Sequence, residues 1–139
     1  MMALDQTETI KEDRFERYFW LCNKWLYIKN HNLSIFSHEK LRDAKRIAVY
    51  GLGNIGKRLV EDFECEKREI AFLVDRNARN IFAEVEVFPA GIRLPDADIL
   101  IVSMISEFEE IRKTEEGCFR GEIISLETII NELWIQEWI

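Results

Sequence analysis

Large apolar residues recur at three- and four-residue steps over Phe15, Tyr18, Phe19, Cys22, Trp25 and Leu26, the period of one helix face. Arg14, Glu16, Arg17, Asn23 and Lys24 fill the opposite side, and Trp20, Leu21 and Ile28 widen the apolar stripe. Thr9 with Glu12 gives a capping-box pattern at the start, and Asn30, His31 and Asn32 end the helix. A short helical turn is expected between Ser34 or Ser37 and Ala44. From Arg46 the pattern changes to alternating strands and helices. Ile47 to Tyr50 reads as a strand, and Ile55 to Glu64 as a helix with Leu59, Val60 and Phe63 inward. Ile70 to Val74 is a near-continuous apolar run, the mark of a parallel strand buried on both faces. Glu84 to Phe88 alternates as an edge strand does, and Pro89 stops it. Ile99 to Ser103 is a further apolar strand, followed by a helix from a second capping box, Ser106 with Glu109, to Gly117. Glu122 to Ser125 is the last strand. Ser125 caps a final helix with Leu126, Ile129, Ile130, Leu133, Trp134 and Trp138 on one face.

Strands alternating with helices predict an α/β fold, a doubly wound parallel sheet of about five strands in the order 3-2-1-4-5. A helical extension that includes the added aromatic helix occupies residues 1–45, and the Rossmann-like nucleotide-binding unit, with the C-terminal helix, residues 46–139. Pro89, Gly91 and Pro95 leave no room for a helix before Ile99, so a loop or single turn is expected there. Ligands bind such sheets at the carboxyl ends of the strands, near the point where strand order reverses.

At that point stands Gly51-Leu-Gly53-Asn-Ile-Gly56, directly after the first strand, with Asp75 closing the second strand. The first glycine turns the chain sharply, the second lets backbone amides approach a pyrophosphate, and the third lets helix and strand pack closely. The helix that follows aims its positive dipole end and free N–H groups at the phosphates. Candidate binding residues are therefore Gly51, Gly53, Asn54, Ile55 and Gly56 as a backbone cradle, with Asp75, Arg76 and Ser103 at neighbouring strand ends.

Arg46 to about Ser125 resembles the NAD(P)-binding Rossmann family at Ile47, Val49, Gly51, Gly53, Gly56, Leu59, Phe63 and Asp75. The resemblance implies that Asp75 accepts hydrogen bonds from the adenosine ribose hydroxyls, and that its charge selects NAD over NADP. Arg76 and Arg79 lie where an arginine accommodates the NADP phosphate or covers the adenine. The chain also resembles the N-terminal nucleotide-sugar-binding domains of bacterial sugar acyltransferases, through the Gly56-Lys57 turn, Phe72-Leu-Val-Asp75, Val87-Phe-Pro89 and Asp96 to Ser103. The acyltransferase repeat is absent, so acyl transfer does not carry over. A more diffuse likeness is to standalone Rossmann-like proteins of glycan-biosynthesis loci.

Catalytic chemistry is scarce. His31 and His38 precede the first strand in a polar stretch with a surface role, and no Tyr-x-x-x-Lys pair exists. Glu107, Glu109, Glu110, Glu115 and Glu116 read as a solvated helix face without the histidines or clustered aspartates of a metal site. The expectation is a nucleotide-binding module, NAD first, without its own catalytic machinery, regulatory or accessory to a partner enzyme. A small NAD-dependent oxidoreductase, or a nucleotide-sugar binder of glycan biosynthesis, is the alternative.

A chain of 139 residues supports one core, and a net charge of −7 with scattered basic residues disfavours nucleic acid and anionic membranes. The uncharged run Ile99 to Ser106 is strand-like rather than membrane-spanning. Cys22, Cys65 and Cys118 form no pair at metal or disulfide spacing and suggest reduced, mostly buried thiols of a cytoplasmic protein. Four tryptophans, all in the terminal helices, exceed what a small domain hides, which predicts a homodimer or a partner protein.

Overall fold

The computed structural model describes the backbone of residues 2–138 and the side chains of residues 13–138. Five parallel strands form one sheet in the order β3-β2-β1-β4-β5: β1 (Ile47–Tyr50), β2 (Leu73–Val74), β3 (Val87–Phe88), β4 (Ile99–Val102) and β5 (Glu122–Ser125). The helices are α1 (Met2–Asn30), α2 (Glu39–Arg42), α3 (Asn54–Cys65), α4 (Phe108–Glu115) and α5 (Leu126–Gln136). This is the Rossmann-like arrangement the alternating pattern predicts.

Strand β1 pairs on both sides, Val49 beside Leu73 and Val49 beside Ile101, which accounts for its wholly buried apolar sequence. Its alternating side chains serve two cores. Ile47 and Val49 join Ile99, Ile101 and Ile124 under α1, α3 and α5. Ala48 and Tyr50 join Leu100, Val102, Ile111 and Phe119 on the opposite face, under α4. Strand order reverses between β1 and β4, and the chain leaves β1 there through Gly51.

The segment between β3 and β4 holds no helix, as its prolines dictate. Leu94 fills that space instead, buried in the second core, its N–H bonded to the Cys118 carbonyl at 2.9 Å. Ser34 and Ser125 cap as expected: Ser34 Oγ accepts from Phe36 N–H and Ser125 Oγ from Glu127 N–H. Ser106 does not. A 3-10 turn (Ile105–Glu107) precedes α4, and the Ser106 hydroxyl donates to Glu107 instead of capping. Helix α1 already runs from Met2, ahead of Thr9, and the Thr9 and Glu12 side chains lie outside the described residues.

The aromatic stripe of α1 divides in two. Leu21, Trp25 and Ile28 face the core, whereas Phe15, Phe19, Cys22 and Leu26 are exposed. Buried positions four and three residues apart select the core side, and polar anchors fix that rotation. Trp25 Nε1 donates to Asp62 of α3 at 2.8 Å, Lys29 Nζ donates to the same buried carboxylate, and Arg17 reaches Glu127 of α5 through two nitrogens. The expectation of mostly buried thiols also fails: Cys22 and Cys65 are exposed, and Cys118 is half-buried. Among the described residues no helix is long and apolar enough to cross a membrane.

Candidate functional site

The glycine segment leaves β1 at Gly51, whose φ of +97° lies in the left-handed region that disfavours other residues. It is crowded as well, since a Cβ there would sit 2.5 Å from Ser103 Oγ and 2.9 Å from Met104 Cγ. Gly56, in the first turn of α3, is tighter still, with the Gly51 carbonyl oxygen 1.8 Å from the position of a Cβ. These two glycines are explained by the chain itself. Gly53 is not: it has an ordinary negative φ of −75°, and a Cβ there would meet nothing within 4 Å.

Gly53 is the N-cap of α3, and no side chain caps the helix. The first bond back along the helix is from Lys57 N–H to the Gly53 carbonyl, at 3.0 Å. The amides of Asn54, Ile55 and Gly56 therefore precede the helical ladder, as in any helix start, and point out of it. Asn54 is exposed and Ile55 half-buried against the first core.

Asp75 ties the second strand to this loop. One carboxylate oxygen accepts from Leu52 N–H at 2.7 Å, and the other from Asn77 N–H at 2.8 Å, closing a turn after β2. The acid predicted to meet a ribose thus stands beside the glycine loop, with its orientation set by two amides. An ionised carboxylate has about four acceptor positions, so both oxygens retain capacity.

Ser103 follows β4 and is buried under the loop rather than displayed on it. Its hydroxyl lies 2.8 Å from the Gly51 carbonyl oxygen and 3.1 Å from that of Tyr50, to either of which it donates. Arg76 is exposed. Burial raises the pKa of the Tyr50 phenol above its ordinary value, and the Arg76 guanidinium opposes that shift. The structure therefore gathers Gly51, Gly53, Asn54, Ile55, Gly56, Asp75 and Arg76 at one end of the sheet, with Ser103 as their support.

Two histidines lie elsewhere. His31 is exposed and stacks on Tyr27, with ring centroids 4.0 Å apart. His38 is not on the surface, as its polar surroundings in the chain suggested. It is buried, its Nδ1 accepts from Lys40 N–H to cap α2, and its Nε2 contacts Glu132 of α5.

Glu115 also departs from its sequence reading. Four residues after Ile111 and four before Phe119, it lies on the inward face of α4 and is fully buried. One oxygen accepts from Gly91 N–H at 2.8 Å, and the other has no partner among the described residues. Its position in step with Ile111 and Phe119 is the signal that would have separated it from its exposed neighbours. Burial raises its pKa above the usual 4.5, and the Gly91 amide opposes that shift. The native state thus holds the proton more tightly than the unfolded chain. The stability this gives is complete below the unfolded pKa and is lost as pH rises to the folded value. Glu115→Gln should accordingly match the parent at a pH below the usual 4.5 and exceed it in stability at pH 8. Urea unfolding at the two pH values measures the difference; an advantage that shrank as pH rose would contradict it.

No group of three or more His, Cys, Asp or Glu among the described residues is placed to hold a metal ion. Comparison of the chain with protein families, curated proteins and solved structures finds no match in any of the three.

Proposed function

We propose that this chain is a nucleotide-binding module, with NAD as its first candidate ligand, that serves a partner enzyme or a regulatory step instead of catalysing a reaction itself. Gly53 carries the reading. It is a glycine with no conformational or packing need, placed where the uncapped amides of α3 face open space. A phosphate approaching those amides supplies the missing reason, because a side chain at residue 53 would stand in its way. Gly51 and Gly56 shape the turn, Ser103 holds Gly51 from beneath, and Asn54, Ile55 and Gly56 offer N–H groups. Asp75 would take the adenosine ribose hydroxyls, and Arg76 would lie beside the adenosine end. The resemblance to the NAD(P)-binding Rossmann family supports this assignment; a cytoplasmic setting goes with it.

A thermal-shift series with NAD, NADP and a UDP-sugar tests the proposal. A ligand at a hundred times its Kd contributes about 2.7 kcal/mol, on the order of 10 °C in Tm for a domain of this size. Gly53→Asp should abolish that shift, since its carboxylate occupies and repels at the phosphate position. The same side chain suits the N-cap, so the unliganded variant should keep or gain stability, by at most about 1 kcal/mol. If no nucleotide raises Tm at millimolar concentration, or Gly53→Asp leaves the shift intact, the proposal fails. A shift with the UDP-sugar alone moves the assignment to nucleotide-sugar binding in glycan biosynthesis. NADH turnover with a carbonyl substrate would move it to an oxidoreductase.

A further inference from the structure

The exposed half of α1 carries a self-complementary seam. Phe15, Phe19, Cys22 and Leu26 follow one another at steps of four, three and four residues, the spacing of a helix-pairing stripe. Phe15 is 77% exposed, Phe19 59% and Leu26 58%, and Trp20, 49% exposed, leans edge-on against Phe19 with ring centroids 5.5 Å apart.

We propose that this face pairs with a second copy of the chain, α1 against α1 in antiparallel sense, about a two-fold axis between Phe19 and Cys22. In that register Phe15 lies over Leu26 of the partner subunit, and Phe19 over Cys22 of the partner subunit. Each large ring thus meets a smaller side chain. A parallel pair would instead oppose Phe15 to itself and Phe19 to itself, overpacking the seam. The match of large to small holds only for the antiparallel arrangement, and it needs no second sequence.

The area fits as well. Phe15, Phe19, Trp20 and Leu26 leave about 400 Å² of apolar side chain in one strip. That is about half of the ~800 Å² per partner that a stable interface buries, and the polar shoulder residues Glu16, Asn23 and Lys29 extend it as a rim.

Sedimentation of the full chain at tens of micromolar is the test, with expectation of a dimer. Phe19→Glu should raise the dimer dissociation constant by about a hundredfold, while circular dichroism shows an unchanged fold. Register is read by disulfide formation with Cys65 and Cys118 replaced by serine. Phe19→Cys in that background should give a covalent dimer on mild oxidation with diamide, through Cys22 of the partner subunit, and the background alone should not. A strictly monomeric chain overturns the proposal, as does a dimer indifferent to Phe19→Glu. Ready crosslinking through Cys22 alone overturns the antiparallel register.

Discussion

Gly56→Ala should cost at least about 3 kcal/mol of folding stability and lower Tm by about 10 °C or more. The added methyl would lie 1.8 Å from the Gly51 carbonyl oxygen, 2.7 Å from its carbon and 3.2 Å from Ser103 Oγ. Two of those three atoms are backbone and cannot rotate aside. Relief requires α3 to withdraw from β1 or the Gly51 peptide to turn, and the second route breaks the 2.8 Å contact from the Ser103 hydroxyl. Helix propensity acts in the opposite direction, favouring alanine over glycine by about 1 kcal/mol. The clash should win because ordinary core overpacking already costs about 1–3 kcal/mol, and this contact is with main chain. Gly53→Ala is the matched control, since its methyl meets nothing. Urea denaturation of the two variants gives the comparison; equal stabilities would contradict this account of the loop.

That contrast within one motif shows what the sequence could and could not reveal. The order of strands was legible because buried parallel strands have no polar face, and Ile47–Tyr50 and Ile99–Val102 are the central pair. The glycine loop and Asp75 were legible as a set, because each follows directly from a strand end. Their division of labour was not. Only packing distinguishes Gly51 and Gly56, which the chain needs, from Gly53, which it does not. Ser103 was assigned to the site from its strand-end position, yet its burial beneath Gly51 depends on β1 and β4 lying side by side. Glu115 and Asp62 escaped for a different reason. A carboxylate on an amphipathic helix reads as solvated until a neighbour from a distant segment, Gly91 or Trp25, is brought against it.

The same limit governs α1, and it separates two substitutions that look alike on a helical wheel. Trp25 and Phe19 are both aromatic members of one broad stripe, but Trp25 is 5% exposed and Phe19 59%. Trp25→Glu should therefore leave the chain largely unfolded. Truncating a buried tryptophan costs about 3–5 kcal/mol through lost transfer and cavity terms. The variant also removes the Nε1 donor from Asp62 and places a second carboxylate beside that buried one, leaving Lys29 as its counter-charge. Like charges in a desolvated site raise the total further, so a loss above about 5 kcal/mol is expected, a large part of the 5–15 kcal/mol typical of a whole domain. Phe19→Glu, placed in water on the free chain, should change stability by about 0.5 kcal/mol or less. Circular dichroism melts at low concentration, where any self-association is dissolved, separate the two cases. A folded Trp25→Glu protein would mean that α1 is an appended helix; an unfolded one establishes it as a wall of the same core that holds the glycine loop in place.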